Sequence, residues 1–139
     1  MPPFTHLLDT SAILAHYFDE PGAEQVDDLW RERGNRLAIC VLTIPELKTR
    51  LHQELDVESE AESAFDLYVN RLTVSLAIDT SVAHEAARLR EFTPARLPLI
   101  DACIAACASV HGCVLVHRDP HMDPLHAGGL QMLRLADKG

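Results

Sequence analysis

The chain lacks any apolar run long enough to cross a membrane. Its longest nearly uncharged stretch, "LAICVLTIP", is far short of the ~20 residues that a helical span needs. The N-terminus carries neither the basic segment nor the long apolar stretch of a secretory signal, so a cytoplasmic location is expected. Cysteine is sparse: Cys40, Cys103, Cys107 and Cys113 show neither disulfide-framework nor CxxC spacing. Reduced, structural thiols follow from this. A zinc site recruiting His111 or His117 is disfavoured because no paired ligand motif accompanies them. Positive charge is also in deficit, with 12 basic residues against 21 acidic and a formal net charge of −9. This argues against nonspecific nucleic-acid binding through a basic surface. It leaves room for an enzyme whose acids hold cations that in turn hold phosphates. Internal repeats, low-complexity segments and linkers are absent.

What is present is a chain of 139 residues, 47% hydrophobic and 24% charged, which predicts one folded domain over residues 1–139 with a single core. Residues 5–8 read as a short apolar strand, followed by helical segments in "SAILAHYF" and "GAEQVDDLWRERG", the second ended by Gly34. "RLAICVL" (36–42) is apolar without polar alternation and predicts a strand covered on both faces. A helix from Thr43, another in "VESEAESAFDLYVNRL" and a strand at 73–78 follow. "TSVAHEAARLREF" is then helical, with Asp79 or Thr80 as its cap. The next helix starts near Pro98 and stops at Gly112, "CVLVHRD" returns to strand, and "LQMLRL" is a candidate edge strand. This alternation predicts an α/β fold, a three-layer α/β/α sandwich around a mainly parallel sheet.

Four acids occupy similar places in that scheme. Asp9 ends the first strand, Glu46 lies in the first turn of the helix after the second, Asp101 in the first turn of the helix before "CVLVH", and Asp119 ends that strand. Ligand sites in open parallel sheets form at the carboxyl ends of strands, which puts Asp9, Glu46 and Asp119 on one edge. Asp101 joins them if its helix starts there. Each acid also has a local explanation: Asp9 as a helix cap, Glu46 in a T-x-x-E capping box with Thr43, Asp101 at a helix's positive end, Asp119 in a turn with Pro120. These explanations do not account for all four falling at the same edge. Gathered carboxylates repel one another unless a cation neutralises them, and all-oxygen ligands favour Mg²⁺, or Mn²⁺, over zinc. Such ions support phosphodiester hydrolysis.

"LLDTSAIL", the acid in "IPELKTRL", "LIDACIAACA" and "LVHRDPHM" together resemble the PIN-domain ribonucleases, especially the VapC-type toxins of toxin–antitoxin pairs. The resemblance spans nearly the whole chain in order. Its most specific parts are D-T-S at 9–11 and D-x-x-I-A-A at 101–106. It implies the PIN-like α/β/α fold and a Mg²⁺-dependent endoribonuclease acting on RNA. It also implies a homodimer and a small cognate antitoxin that inserts into the active site. Residue by residue, Asp9, Glu46, Asp101 and Asp119 match the family's four acids, and Ser11 matches a hydroxyl that steadies them. His117 departs from the pattern, since the family usually has Thr or Ser two residues before the last acid. "HRDPHMD" leaves Asp123 as an alternative to Asp119.

Lys48, Arg50 and Arg118 are candidate RNA contacts by their closeness to the acids in sequence, and Arg88, Arg90 and Arg96 flank the approach to Asp101. Ordinary solvated charge is the competing explanation for these cations. Trp30, Phe65 and Tyr68 sit at apolar helix positions, where packing in the core or a dimer is favoured over base stacking. His16, His84 and His126 carry no signal. Among rivals, a haloacid-dehalogenase-like phosphatase would need an acid at Ser11, and a phosphoacceptor receiver domain would need an early acidic pair with a later Lys. A noncatalytic domain binding RNA or a protein has no use for all four acids.

Overall fold

The computed structural model describes residues 3–93 and 97–138. Five strands form one sheet, β1 (His6–Leu8), β2 (Leu37–Cys40), β3 (Val74–Leu76), β4 (Val114–His117) and β5 (Met132–Arg134), in the order β3-β2-β1-β4-β5. Every pairing is parallel, with Leu7 opposite both Ala38 and Leu115. Between the strands run α1 (Thr10–Tyr17), α2 (Ala23–Arg31), α3 (Thr43–Glu54), α4 (Glu58–Asp66), α5 (Thr80–Leu89) and α6 (Leu99–Val110).

Period-two alternation divides the strand side chains between two cores. Leu7, Ala38 and Leu115 face the layer of α5 and α6 with Val82, Leu89 and Ile104. Leu8, Ile39 and Val116 face α1 to α4 with Ile13, Leu47 and Leu51. Both sheet faces are therefore covered, which is why β2 is buried at all four residues and reads as an uninterrupted apolar run. The chain steps outward from β1 to β3, then returns to the other side of β1 as β4. This reversal lies between β1 and β4, where parallel sheets open a crevice.

Several local expectations are corrected. Helix α2 ends at Arg31, with Glu32 already extended, so Gly34 is not its cap. Asn35 ends it early: its side-chain amide donates to the Leu29 carbonyl at 3.0 Å, and its backbone N–H to Glu32. Glu46 forms no capping box, because Thr43 is the first helical residue of α3 and its buried hydroxyl lacks a protein partner among the described residues. The fourth helix widens into a π-helical turn over Leu67–Leu72, in which buried Tyr68 meets His16 Nδ1 at 2.6 Å. Of the two caps the sequence offers α5, Asp79 is the one used, accepting the Val82 N–H at 3.0 Å.

Gly22 joins α1 to α2 at φ 98°, and a Cβ there would sit 2.9 Å from Leu135 Cβ. Left-handed strain and overpacking act together. Gly22→Ala is expected to lower unfolding free energy by about 2–4 kcal/mol and the melting temperature by roughly 5–15 °C. Gly34, where an added Cβ would meet nothing within 4 Å, is the control. Gly34→Ala should stay within about 0.5 kcal/mol in the same thermal scan.

Candidate active site

The crevice between β1 and β4 opens into a cavity of about 580 Å³ whose lining includes Asp9, Glu46, Asp101 and Asp119. Three of the four reach it from strand ends or the helix just beyond. Asp9 follows β1 directly, Asp119 comes two residues after β4, and Glu46 is in the first turn of α3 after β2. Asp101 arrives differently. Helix α6 feeds β4 after a short turn, so it runs antiparallel to that strand and its first turn returns to the carboxyl edge. Gly112, at φ 66°, makes that turn.

Asp9 both caps α1 and lines the cavity. Its Oδ1 accepts the Ala12 N–H at 2.9 Å and the Ser11 hydroxyl at 2.7 Å. Ser11 Oγ in turn accepts the Arg118 N–H at 2.9 Å, which ties β1 to the end of β4. Asp119 caps the 3₁₀ segment Pro120–Gly128 through the His121 N–H at 2.9 Å, and its Oδ1 also meets His121 Nδ1 at 3.0 Å. Glu46 is held by Thr10, whose hydroxyl donates to Oε1 at 2.7 Å. Thr10 and His121 were not singled out by sequence reasoning. Thr10 sits inside the D-T-S motif, but nothing in the linear order says that its hydroxyl reaches a carboxylate 36 positions on.

Electrostatically the cavity resists its own charge. Burial pushes the Asp9 carboxyl from its ordinary 3.8 up to about 7; hydrogen bonds from Ser11 and Ala12 oppose this, and Asp119 and Asp101 add to it. Asp101 is raised to about 6 by burial and by the charges of Asp119 and Glu46, with His121 offsetting part. Among the described residues, no three His, Cys, Asp or Glu side chains form a ready-made metal cluster. The donor set nonetheless fits a hard, hydrated cation: the acids lining the cavity are all oxygen donors, two of which, Asp9 and Asp101, are raised, and Mg²⁺ commonly keeps several waters beside one or two carboxylates.

His117 is fully buried, and burial holds its imidazole below the ordinary range, hence neutral. Its Nδ1 accepts the Asp119 N–H at 3.1 Å, which assigns the proton to Nε2. Asp123 stands outside the cavity lining. Its Oδ1 takes the Arg134 Nε–H at 3.0 Å and lies 3.9 Å from His117 Nε2.

Of the three candidate RNA-contacting cations, Arg50 lines the cavity; Lys48 and Arg118 do not. Lys48 pairs with Glu62 at 3.5 Å and lies over Phe65, and Arg118 is turned to Glu20 at 2.7 Å. Arg88 is bound to Glu85 and the Gly128 carbonyl, and Arg90 donates to the Leu97 carbonyl. Arg96 lies outside the described residues. Trp30 donates to the Leu72 carbonyl and Tyr68 is buried, both away from the cavity lining. The four cysteines are free thiols, three of them buried. No helix among the described residues is long and apolar enough to cross a membrane.

Solved structures share this architecture. VapBC2 from Rickettsia felis, bound to a promoter DNA fragment, matches with a TM-score of 0.76 at 15% identity, covering 96% of this chain and 100% of that one. VapBC-5 from Mycobacterium tuberculosis gives 0.71 at 22% identity, covering 95% and 99%. VapC20 of the same organism, described as a sarcin-ricin loop cleaving toxin, gives 0.69 at 16% identity, covering 94% and 99%. At these identities the likeness is one of fold. No curated protein matches the chain. The family model of the PIN domain, however, matches residues 6–125, a span that contains all four acids, the D-T-S motif and every strand but β5, and the chain therefore belongs to the PIN domain family.

Proposed function

We propose that this chain is a divalent-cation-dependent endoribonuclease that hydrolyses RNA phosphodiester bonds, and that it is the toxin of a toxin–antitoxin pair. The observation that carries the reading is the set of four carboxylates around one cavity, two of them raised by burial and mutual repulsion. A site that disfavours its own ionised form is suited to a positive ligand. Asp9, Glu46, Asp101 and Asp119 would hold Mg²⁺ or Mn²⁺, which when bound supplies charge stabilisation at the phosphodiester and a more acidic water. The remaining residues orient these ligands. Ser11 and the Ala12 N–H fix Asp9, Thr10 fixes Glu46, and His117 fixes the backbone of Asp119. The VapC likeness, including a toxin described as cleaving the sarcin-ricin loop, supports RNA as substrate and a small antitoxin as partner. A homodimer and a cytoplasmic location go with the same reading.

The test is cleavage of a transfer-RNA and ribosomal-RNA panel, a sarcin-ricin stem-loop included, by purified protein with Mg²⁺, with Mn²⁺ and with chelator. Cleavage that needs the cation is expected. Intact RNA under all three conditions would remove the nuclease assignment and favour a noncatalytic binding domain.

The fourth ligand is assigned to Asp119 over Asp123, because the sheet end and its own cap fix Asp119, whereas Asp123 is committed to Arg134. Asp119→Asn is expected to slow single-turnover cleavage about a hundredfold, and Asp123→Asn about tenfold or less. The reverse ranking at saturating Mg²⁺ would show that the loop acid is the ligand.

A further inference from the structure

The cavity holds one cation among its described lining residues, Arg50. Helix α3 presents Glu46, Thr49, Arg50 and Gln53 to it, spacings that lie on one helical face. A polar stripe therefore leads from the acids along α3, facing Ile100 and Ile104 of α6. A polyanion entering here meets a chain of net charge −9, so counter-charge beside the acids matters more than it would on a basic protein. Arg118 is held by Glu20 with both side chains largely buried, and Lys48, whose pair with Glu62 is as solvated as that of Arg50, lies off the cavity lining.

Arg50 has a partner of its own. Its Nη2 lies 2.6 Å from Glu54 Oε1, one turn further along α3. The two side chains are 50% and 36% exposed, and the basic residue precedes the acid, the less favourable order for such a pair. A solvated pair of this kind is weak. A phosphodiester offers the guanidinium a bidentate, charge-assisted replacement.

We infer that Arg50 binds an RNA phosphate next to the scissile bond by exchanging Glu54 for it, so that Glu54 competes with the substrate for the guanidinium. This rests on the nuclease reading and adds to it a substrate direction, along α3, and a built-in competitor that lowers affinity.

The test uses the full chain carrying Asp101→Asn, which is expected to bind without cutting, and a fluorescein-labelled single-stranded oligoribonucleotide of ~12 nucleotides read by anisotropy in Mg²⁺. Arg50→Ala is expected to weaken binding about tenfold and to make the dependence of log Kd on log salt shallower by about one unit. Lys48→Ala, with the same change in charge on the same helix, should leave both near the Asp101→Asn values. Glu54→Gln should tighten binding about threefold, and that gain should vanish when Arg50 is also Ala. An Arg50→Ala Kd within twofold of its reference, an equal effect of Lys48→Ala, or a Glu54→Gln gain that persists without Arg50 would each overturn the exchange. So would failure of the Asp101→Asn chain to bind the oligonucleotide. Absence of cleavage by the parent chain on the RNA panel instead overturns the nuclease reading, so the two failures are distinguishable.

Discussion

Asp9→Asn and Asp101→Asn are each expected to lower the RNA-cleavage rate by at least about a thousandfold while the chain remains folded. Asparagine keeps an acceptor oxygen where Asp9 caps α1, so the Ala12 N–H and the Ser11 hydroxyl retain a partner. What is lost is the negative charge, the property by which the carboxylate would hold a cation. Asp101 offers a cleaner case still, since no hydrogen bond contributes to its perturbation and burial and repulsion alone raise it. Far-UV circular dichroism and a cooperative melt measured beside single-turnover cleavage decide the matter. Parallel loss of folded signal and activity would make these acids structural caps, and full activity in either variant would remove that residue from the site.

Without divalent cation, Asp9→Asn should be the more stable protein at pH 8 and nearly equal to the parent at pH 4. The Asp9 carboxyl is raised from 3.8 to about 7, so the native state binds its proton more tightly than the unfolded chain. Its contribution is fully present below pH 3.8 and is lost as pH rises through about 7. Asparagine, neutral throughout, avoids that loss. The shift corresponds to up to about 4 kcal/mol at pH 8, and Asp101 pushes the parent in the same direction. Thermal scans in chelator from pH 4 to 8 should therefore show a gap between variant and parent that opens with pH. Adding Mg²⁺ or Mn²⁺ at pH 8 should raise the melting temperature of the parent more than that of the variant, because a ligand bound by the folded state alone stabilises it by mass action. A gap independent of pH would show that Asp9 is not strained by ionisation, and equal metal shifts would remove it from the metal site.

Much of the architecture is legible in the linear chain because its signals are local. The apolar run around Ile39, without polar alternation, reads as a strand covered on both faces, and the Pro98 and Gly112 boundaries bracket α6 through the fixed φ of proline and the positive φ open to glycine. The ends of elements are less legible. Gly34 carries a helix-stop signal, yet Asn35 reaches back first, and the T-x-x-E pattern at Thr43 matches a capping box that the fold does not build. In the first case a neighbouring side chain competed for the helix end, and in the second Glu46 met a hydroxyl 36 positions away, at Thr10.

By itself the sequence determined the alternation of strand and helix, the parallel sheet and the placement of Asp9, Glu46 and Asp119 beyond strand ends, since these follow from periodicity and from the polarity of a parallel sheet. Only the tertiary structure decided which groups meet. It turned Glu46 to Thr10, gave Asp123 to Arg134, set His117 Nδ1 under the Asp119 N–H, and, among the described residues, left Arg50 as the one cation lining the cavity while Lys48 and Arg118 turned away. Side-chain partners depend on distances of a few ångströms between residues tens of positions apart, and those distances exist only once the sheet order and both helical layers have packed.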